Sequence, residues 1–120
     1  MGYNLFLDDE RTPISTFRYT QNGLYVTEKW EIIRNFYQFI SFVSDHGIPT
    51  IVSFDHDLGD VNGETEKTGY HCATWLIDHC INENLNLPKI ILVHSMNTVG
   101  NENIRSLFND YKKIFENGSK

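Results

Sequence analysis

Acidic and histidine side chains follow three apolar runs of this sequence, at the point where each run ends. The clusters are, in chain order, Asp8-Asp9, Asp55-His56-Asp57 and His94-Ser95. Short apolar runs bounded by polar residues are typical of buried strands. If those strands are parallel, their carboxyl ends meet at one edge of the sheet, which is where open α/β sheets bind ligands. The sequence therefore predicts that the three clusters share one crevice.

Four carboxylates would meet in that crevice, those of Asp8, Asp9, Asp55 and Asp57. Like charges at close range repel each other, and a hard divalent cation with oxygen ligands relieves the repulsion. We therefore expect Mg²⁺ or Mn²⁺ as a cofactor that these four residues hold and that presents a phosphate group. Two simpler interpretations stay open, in which Asp8 and Asp9 cap a turn or helix and Asp55 and Asp57 only form local hydrogen bonds in a loop.

His56 and His94 are the two histidines at predicted strand ends. A histidine titrates near neutral pH and serves as a general acid or base, and a neighbouring carboxylate orients it. We predict that these two histidines handle protons in a reaction at the crevice. For His94 the alternative is a buried polar residue without a catalytic role.

Five further residues are candidates for binding a phosphate or a nucleotide. Ser95 either donates its hydroxyl to a phosphate oxygen or caps a turn. Asn97 and the backbone near Gly100 precede the last predicted helix, and a helix N-terminus attracts anions. Arg11 either binds a phosphate bidentately or balances the nearby carboxylates. Tyr70 either stacks on a base or packs in the core.

Strand and helix alternate along the chain. The predicted strands cover residues 3–7, 30–34, 51–54 and 89–93. Apolar stripes at helical spacing predict three helices, which follow Asn35, Thr68 and Gly100. Helical crossovers between successive strands favour a parallel sheet. The pattern predicts an α/β fold with a small, four-stranded, mainly parallel sheet flanked by helices.

Two segments show no helical or strand periodicity. No helix is evident in residues 10–29, where Pro13 interrupts any regular pattern. Residues 58–68 are polar and contain Gly59 and Gly63, so we predict a mobile loop there.

The length, composition and net charge of the chain exclude several classes of protein. At 120 residues we expect a single domain over residues 1–120. Hydrophobic residues make up 40% and aromatic residues 13%, which excludes a disordered chain. The net charge of −6 is unsuited to wrapping duplex DNA. No apolar run is long enough for a membrane span and no signal peptide is visible, so we expect no membrane partner and a cytoplasmic location.

Two sets of motifs carry a resemblance to a known family. Asp8, Asp9 and Asp55, with Ser95 after the fourth strand, resemble the acidic site of response-regulator receiver domains. Longer strings are similar to a divergent relative, the cyclic-phosphate-processing receiver-like domain family. They are LFLDDERTP at 5–13, SFDHDLGD at 53–60, TGYHCATWLI at 68–77 and HSMNTVGNENI at 94–104. The likeness spans nearly the whole chain and implies a receiver- or flavodoxin-like fold of three layers.

The resemblance also implies a function. In receivers the three aspartates bind Mg²⁺, and the aspartate after strand three, here Asp55, accepts a phosphoryl group. This sequence departs from receivers because no fifth strand and no lysine at a later strand end are evident, so we expect a truncated receiver fold. Lys89 begins strand four at the wrong edge, whereas His56 and His94 stand at the site edge. The resemblance implies as partner a nucleotide or an RNA end that carries a cyclic phosphate.

Three functions remain open from the sequence. The first is a metal-dependent phosphoesterase that processes cyclic phosphates, and the pair of histidines favours it. The second is a non-catalytic protein that binds or sequesters a cyclic nucleotide in the same crevice. The third is a degenerate receiver that acts as an interaction module, which the missing lysine disfavours.

Overall fold

The computed structural model describes residues 2–58, 60–62 and 65–118. Its elements are, in chain order, β1 (Asn4–Leu7), α1 (Pro13–Thr20), α2 (Leu24–Thr27), β2 (Glu31–Ile33), α3 (Phe36–His46), β3 (Ile51–Phe54), β4 (Asp60–Asn62), β5 (Thr65–Lys67), α4 (Gly69–Glu83), β6 (Ile90–Val93) and α5 (Thr98–Gly118).

Four strands form one parallel sheet in the order β2-β1-β3-β6. Leu7 of β1 pairs with Phe54 of β3, and Phe54 pairs with Val93 of β6. Because these three residues end their strands in register, the residues that follow them emerge side by side at one edge. The predicted α/β class and receiver- or flavodoxin-like sheet are confirmed.

Helices cover both faces of this sheet. On one face α3, α4 and α5 pack side by side on a buried apolar core. Core residues on that face include Leu7, Val52, Phe54, Phe39, Leu76 and Phe108. Strand residues alternate between faces, and Phe6 and Ser53 accordingly contact Tyr25 of α2 on the other face. The molecule thus has three layers. None of the described helices has the length and apolar character needed to span a membrane.

The prediction that no helix lies between residues 10 and 29 is wrong, because the structure has α1 and α2 there. Thr12 caps α1: its hydroxyl accepts the N–H of Ser15, and the Ser15 hydroxyl accepts the N–H of Thr12. Pro13 begins the helix rather than interrupting it, since a proline at the first helical position loses no hydrogen bond. Local capping therefore outweighed the weak apolar periodicity of this segment.

Two other boundaries differ from the sequence expectation. Within residues 58–68, predicted as a loop, β4 and β5 pair as antiparallel strands. Gly59 and Gly63 lie outside the described residues. The last helix begins at Thr98 and so includes Gly100, which the sequence analysis had placed before the helix.

The start of α4 packs directly on the end of β3. Gly69 is buried, and its backbone N–H donates to the carbonyl oxygen of His56 at 2.8 Å. A Cβ on Gly69 would overlap the carbonyl oxygen of Asp55. The residue must therefore lack a side chain for Asp55 to keep its place between β3 and α4.

Replacing Gly69 with alanine should lower the free energy of unfolding by about 1–3 kcal/mol, the usual cost of forcing a methyl group into a packed region. Urea denaturation measures the change. Gly23→Ala is the matched control, since a Cβ there meets nothing within 4 Å and φ is −61°. We expect Gly23→Ala to change stability by no more than about 0.5 kcal/mol. Equal stability of the two variants would contradict the close approach at Gly69.

Candidate functional site

Three carboxylates meet at the carboxyl edge of the sheet. Asp8 and Asp9 follow β1 and Asp55 follows β3, and one oxygen from each lies within 4.8 Å of the others. The relative exposure is 0% for Asp8 and 3% for Asp55, while Asp9 is partly exposed. The in-register ends of two neighbouring strands produce this group. The structure thus brings together three of the four predicted metal ligands.

Asp8 is held by donors on both carboxylate oxygens. Its Oδ1 accepts the backbone N–H groups of Glu10 and Arg11, each at 2.8 Å. Its Oδ2 lies 3.0 Å from Nε2 of His94 and 3.6 Å from a guanidinium nitrogen of Arg11. Burial acts to raise the pKa of Asp8, but the hydrogen bonds from His94, Arg11 and Glu10 outweigh it and lower the pKa to about 2. Asp8 is therefore ionised at neutral pH.

The other two carboxylates have no comparable compensation. Burial and the charge of Asp8 raise the pKa of Asp55 to about 6, although a hydrogen bond with Ser95 and the charge of Arg11 act in the opposite direction. Burial and the charge of Asp8 also raise the pKa of Asp9. Close, hard oxygen donors with uncompensated charge fit the coordination chemistry of Mg²⁺ or Mn²⁺. Asp8, Asp9 and Asp55 are the residues that would hold such an ion.

Asp57 lies outside this acidic group and belongs with His56 instead. Its side chain is 61% exposed, and its Oδ1 lies 2.9 Å from Nδ1 of His56. Because a carboxylate only accepts hydrogen bonds, Nδ1 of His56 carries the proton and Nε2 is left with a lone pair. That Nε2 makes no hydrogen bond to any residue that the structure describes. Of the two histidines at strand ends, His56 is thus the one with an available ring nitrogen.

Asn97 and Gly100 fix the position of His56. The Asn97 amide nitrogen lies 3.3 Å from Oδ2 of Asp57 and 3.5 Å from Nδ1 of His56, and its oxygen accepts the N–H of Gly100 at 2.8 Å. A Cβ on Gly100 would overlap the ring of His56, so the ring lies against bare backbone at the start of α5. Both residues, which the sequence predicts to bind phosphate, also contact the candidate proton-transfer group.

His94 is enclosed in the protein. Its relative exposure is 1%, its Nε2 lies 3.0 Å from Asp8, and its Nδ1 lies 2.6 Å from the hydroxyl of Ser53. The ring stacks on Phe6 with 4.5 Å between centroids. Burial lowers the pKa of His94, against the opposing effect of Asp8. Since both ring nitrogens contact protein groups, this geometry favours an orienting role over direct proton transfer.

The remaining predicted ligands lie around the crevice. Ser95 is buried, accepts the N–H of Asn97 at 3.0 Å and hydrogen-bonds to Asp55. The guanidinium of Arg11 is partly exposed and lies 5.5 Å above the ring of Tyr19. Tyr70 is 37% exposed and borders an open cleft of about 530 Å³ beside His56.

Arg34 and Ser53 belong to the site although sequence reasoning missed them. A guanidinium nitrogen of Arg34 donates to the carbonyl oxygens of Asp8 at 3.1 Å and Arg11 at 2.7 Å, which clamps the loop after β1. No local pattern reveals such a contact, because the partners are distant in sequence. Ser53 did leave a signal, since it is a polar residue in the otherwise apolar, fully buried strand β3.

A parallel sheet that carries three carboxylates at the ends of two adjacent strands defines a receiver-like α/β domain. The family model of the cyclic-phosphate processing receiver domain matches residues 3–110, and the chain belongs to this family. The resemblance given by the sequence motifs is thereby confirmed. No curated protein and no solved structure matches the chain.

The raised pKa of Asp55 predicts a pH-dependent stability. The folded state holds the proton up to about pH 6, whereas the ordinary value is 3.8. This contribution is present below the ordinary pKa and is lost as the pH rises through 6. In the absence of divalent cations, Asp55→Asn should therefore gain stability relative to the wild type by about 1–3 kcal/mol between pH 5 and pH 8.

Urea denaturation at the two pH values measures this difference. Asp45→Asn, which removes an exposed carboxylate of α3, is the control and should track the wild type. A stability difference for Asp55→Asn that does not change with pH would contradict the crowding of the three carboxylates.

Proposed function

We propose that this domain is a divalent-cation-dependent phosphoesterase that opens cyclic phosphodiesters of nucleotides or RNA ends. The observation that supports it most is the group of three carboxylates formed by Asp8, Asp9 and Asp55; His56, whose Nε2 is available, follows Asp55 directly in the chain. Membership of the cyclic-phosphate processing receiver family agrees with the substrate class.

A divalent cation bound by Asp8, Asp9 and Asp55 would offset the negative charge of the phosphate and polarise its P–O bonds. Asp8 is already ionised and rigidly held, so it anchors the cation. Asp55 and Asp9, whose charge is poorly compensated, gain most from a cation. Binding of a cation would therefore relieve the electrostatic repulsion among the three carboxylates.

His56 is the proton-transfer group of this proposal. Its Nε2 accepts a proton from the attacking water as the water oxygen bonds to phosphorus. The P–O bond to the 2′- or 3′-oxygen breaks, and the same proton then passes from Nε2 to that oxygen. Asp57 stabilises the imidazolium that exists between the two steps, because its carboxylate accepts from Nδ1. The product is a phosphomonoester.

Arg11 and Ser95 bind the anion. The pentavalent transition state carries more negative charge on its equatorial oxygens than the substrate does, so donors at this position lower the barrier. Arg11 is partly exposed beside Asp8 and is able to turn toward a ligand. The Ser95 hydroxyl donates to Asp55, and its proton would turn to the anion when a cation binds Asp55.

Binding without turnover is the second candidate, and the geometry of His94 favours it. The sequence suggests two histidines for proton transfer, but His94 uses both ring nitrogens within the protein. A single histidine must then serve both as acid and as base. A sequestering protein needs neither step.

An activity panel separates the two. We would assay 2′,3′- and 3′,5′-cyclic nucleotides and an RNA with a 2′,3′-cyclic phosphate end, with Mg²⁺, with Mn²⁺ and with EDTA. We expect turnover only with a cation, and a loss of about 10²–10⁴ in rate for His56→Gln. His46→Gln, on the exposed end of α3, is the control and should keep full activity. Turnover in EDTA, or an active His56→Gln variant, would refute the mechanism. Ligand-induced thermal stabilisation without turnover would support the binding protein.

A further inference from the structure

A line of buried hydrogen bonds leads from the candidate cation site into the interior. Asp8 Oδ2 lies 3.0 Å from Nε2 of His94, Nδ1 of His94 lies 2.6 Å from the Ser53 hydroxyl, and this hydroxyl lies 2.5 Å from that of Tyr25. The relative exposure of these four residues is at most 2%. Ser53 and Tyr25 have no place in the chemistry described so far.

The direction of the bond at the outer end follows from the partners of Asp8. Its Oδ1 faces two backbone N–H groups, and its Oδ2 faces the guanidinium of Arg11. Backbone N–H groups and arginine only donate hydrogen bonds, so both oxygens act as acceptors. His94 must therefore donate to Asp8 through Nε2.

The direction at the inner end follows from Tyr25. A buried tyrosine hydroxyl requires an acceptor for its proton. Among the described residues its hydrogen-bond partner is Ser53, so Tyr25 donates to Ser53, and the Ser53 proton is directed to Nδ1 of His94. If Nδ1 carried a proton, Ser53 would accept from both Tyr25 and His94, and the Ser53 proton would have no acceptor among these groups, which is costly in the interior.

Stacked rings keep Tyr25 in place for this role. Its ring stacks on Trp30 with 5.6 Å between centroids and meets the edge of Phe6 at 6.0 Å. The indole N–H of Trp30 donates to the carbonyl oxygen of Leu24 at 3.2 Å. The hydroxyl of Tyr25 therefore has little freedom to turn to another partner.

We propose that Ser53 and Tyr25 are positioning residues of the cation site, which hold His94 as the neutral tautomer with its proton on Nε2 and thereby fix the orientation of Asp8. This inference rests on the proposed function only in that Asp8 is taken as a cation ligand. It makes His94 a donor that aligns a carboxylate, as partners of the second coordination sphere do in metal sites.

Two variants and one control test this proposal. Ser53→Ala removes the donor to His94, and Tyr25→Phe removes only the hydroxyl that directs Ser53. Tyr3→Phe is the matched control, because the Tyr3 hydroxyl donates to the carbonyl oxygen of Gly47 at 2.6 Å, outside the His94 line. The readouts are the tautomer of His94, from ¹⁵N–¹H NMR of the cation-free protein, and the Kd for Mn²⁺.

We expect the wild type and Tyr3→Phe to show His94 with its proton on Nε2 alone. In Ser53→Ala, protonation of Nδ1 should appear and Mn²⁺ should bind about 10- to 100-fold more weakly, the usual range for such outer partners. Tyr25→Phe should shift both readouts in the same direction by less. If Ser53→Ala does not fold, the test rests on Tyr25→Phe, because this variant keeps the ring packing.

A tautomer and Kd in Tyr25→Phe equal to those of Tyr3→Phe would overturn the proposal. A wild-type His94 with its proton on Nδ1 would also overturn it. Neither readout requires turnover, so a protein that hydrolyses no cyclic phosphate refutes the proposed function while leaving this test valid.

Discussion

Negative charge crowded into a poorly hydrated crevice is the constraint on which the rest of this structure depends. Asp8, Asp9 and Asp55 lie within 4.8 Å of one another, and two of them have almost no contact with water. Repulsion between such groups is strong because the protein interior screens it weakly. The structure compensates the negative charge of Asp8 more fully than that of Asp55. Donors surround Asp8, whereas Asp55 keeps a raised pKa and thereby an affinity for either a proton or a cation.

Much of the surrounding structure serves to hold these groups against that repulsion. Arg34 holds the loop that carries Asp8 and Asp9 by donating to backbone carbonyl oxygens, so it occupies no carboxylate oxygen. Gly69 allows α4 to press on the backbone of Asp55. These two contacts act on the main chain and occupy no carboxylate oxygen, whereas His94, Arg11 and two backbone N–H groups hold the carboxylate of Asp8 directly.

Sequence reasoning captured what depends on local pattern. Apolar runs located the sheet, and the residues after them gave the acidic group, because parallel strands in register carry their ends together. Sequence reasoning failed where the motif was only a few residues long or where the interacting residues lie far apart in the chain. The helix at Pro13 depends on a capping box with little apolar periodicity, and the clamp from Arg34 joins segments far apart in the chain. Asp57 is also an aspartate and lies only two positions after Asp55 in the chain. Its side chain nevertheless pairs with His56 rather than joining the acidic group.

The central position of β1, between β2 and β3, has a kinetic consequence. The carboxylates after β1 and β3 come together only when these strands have paired across the intervening helices, and pairings of such long sequence separation form late and slowly. A cation that binds all three aspartates therefore has little to bind in the early stages of folding. The stabilisation by the cation should therefore slow unfolding and leave the folding rate nearly unchanged.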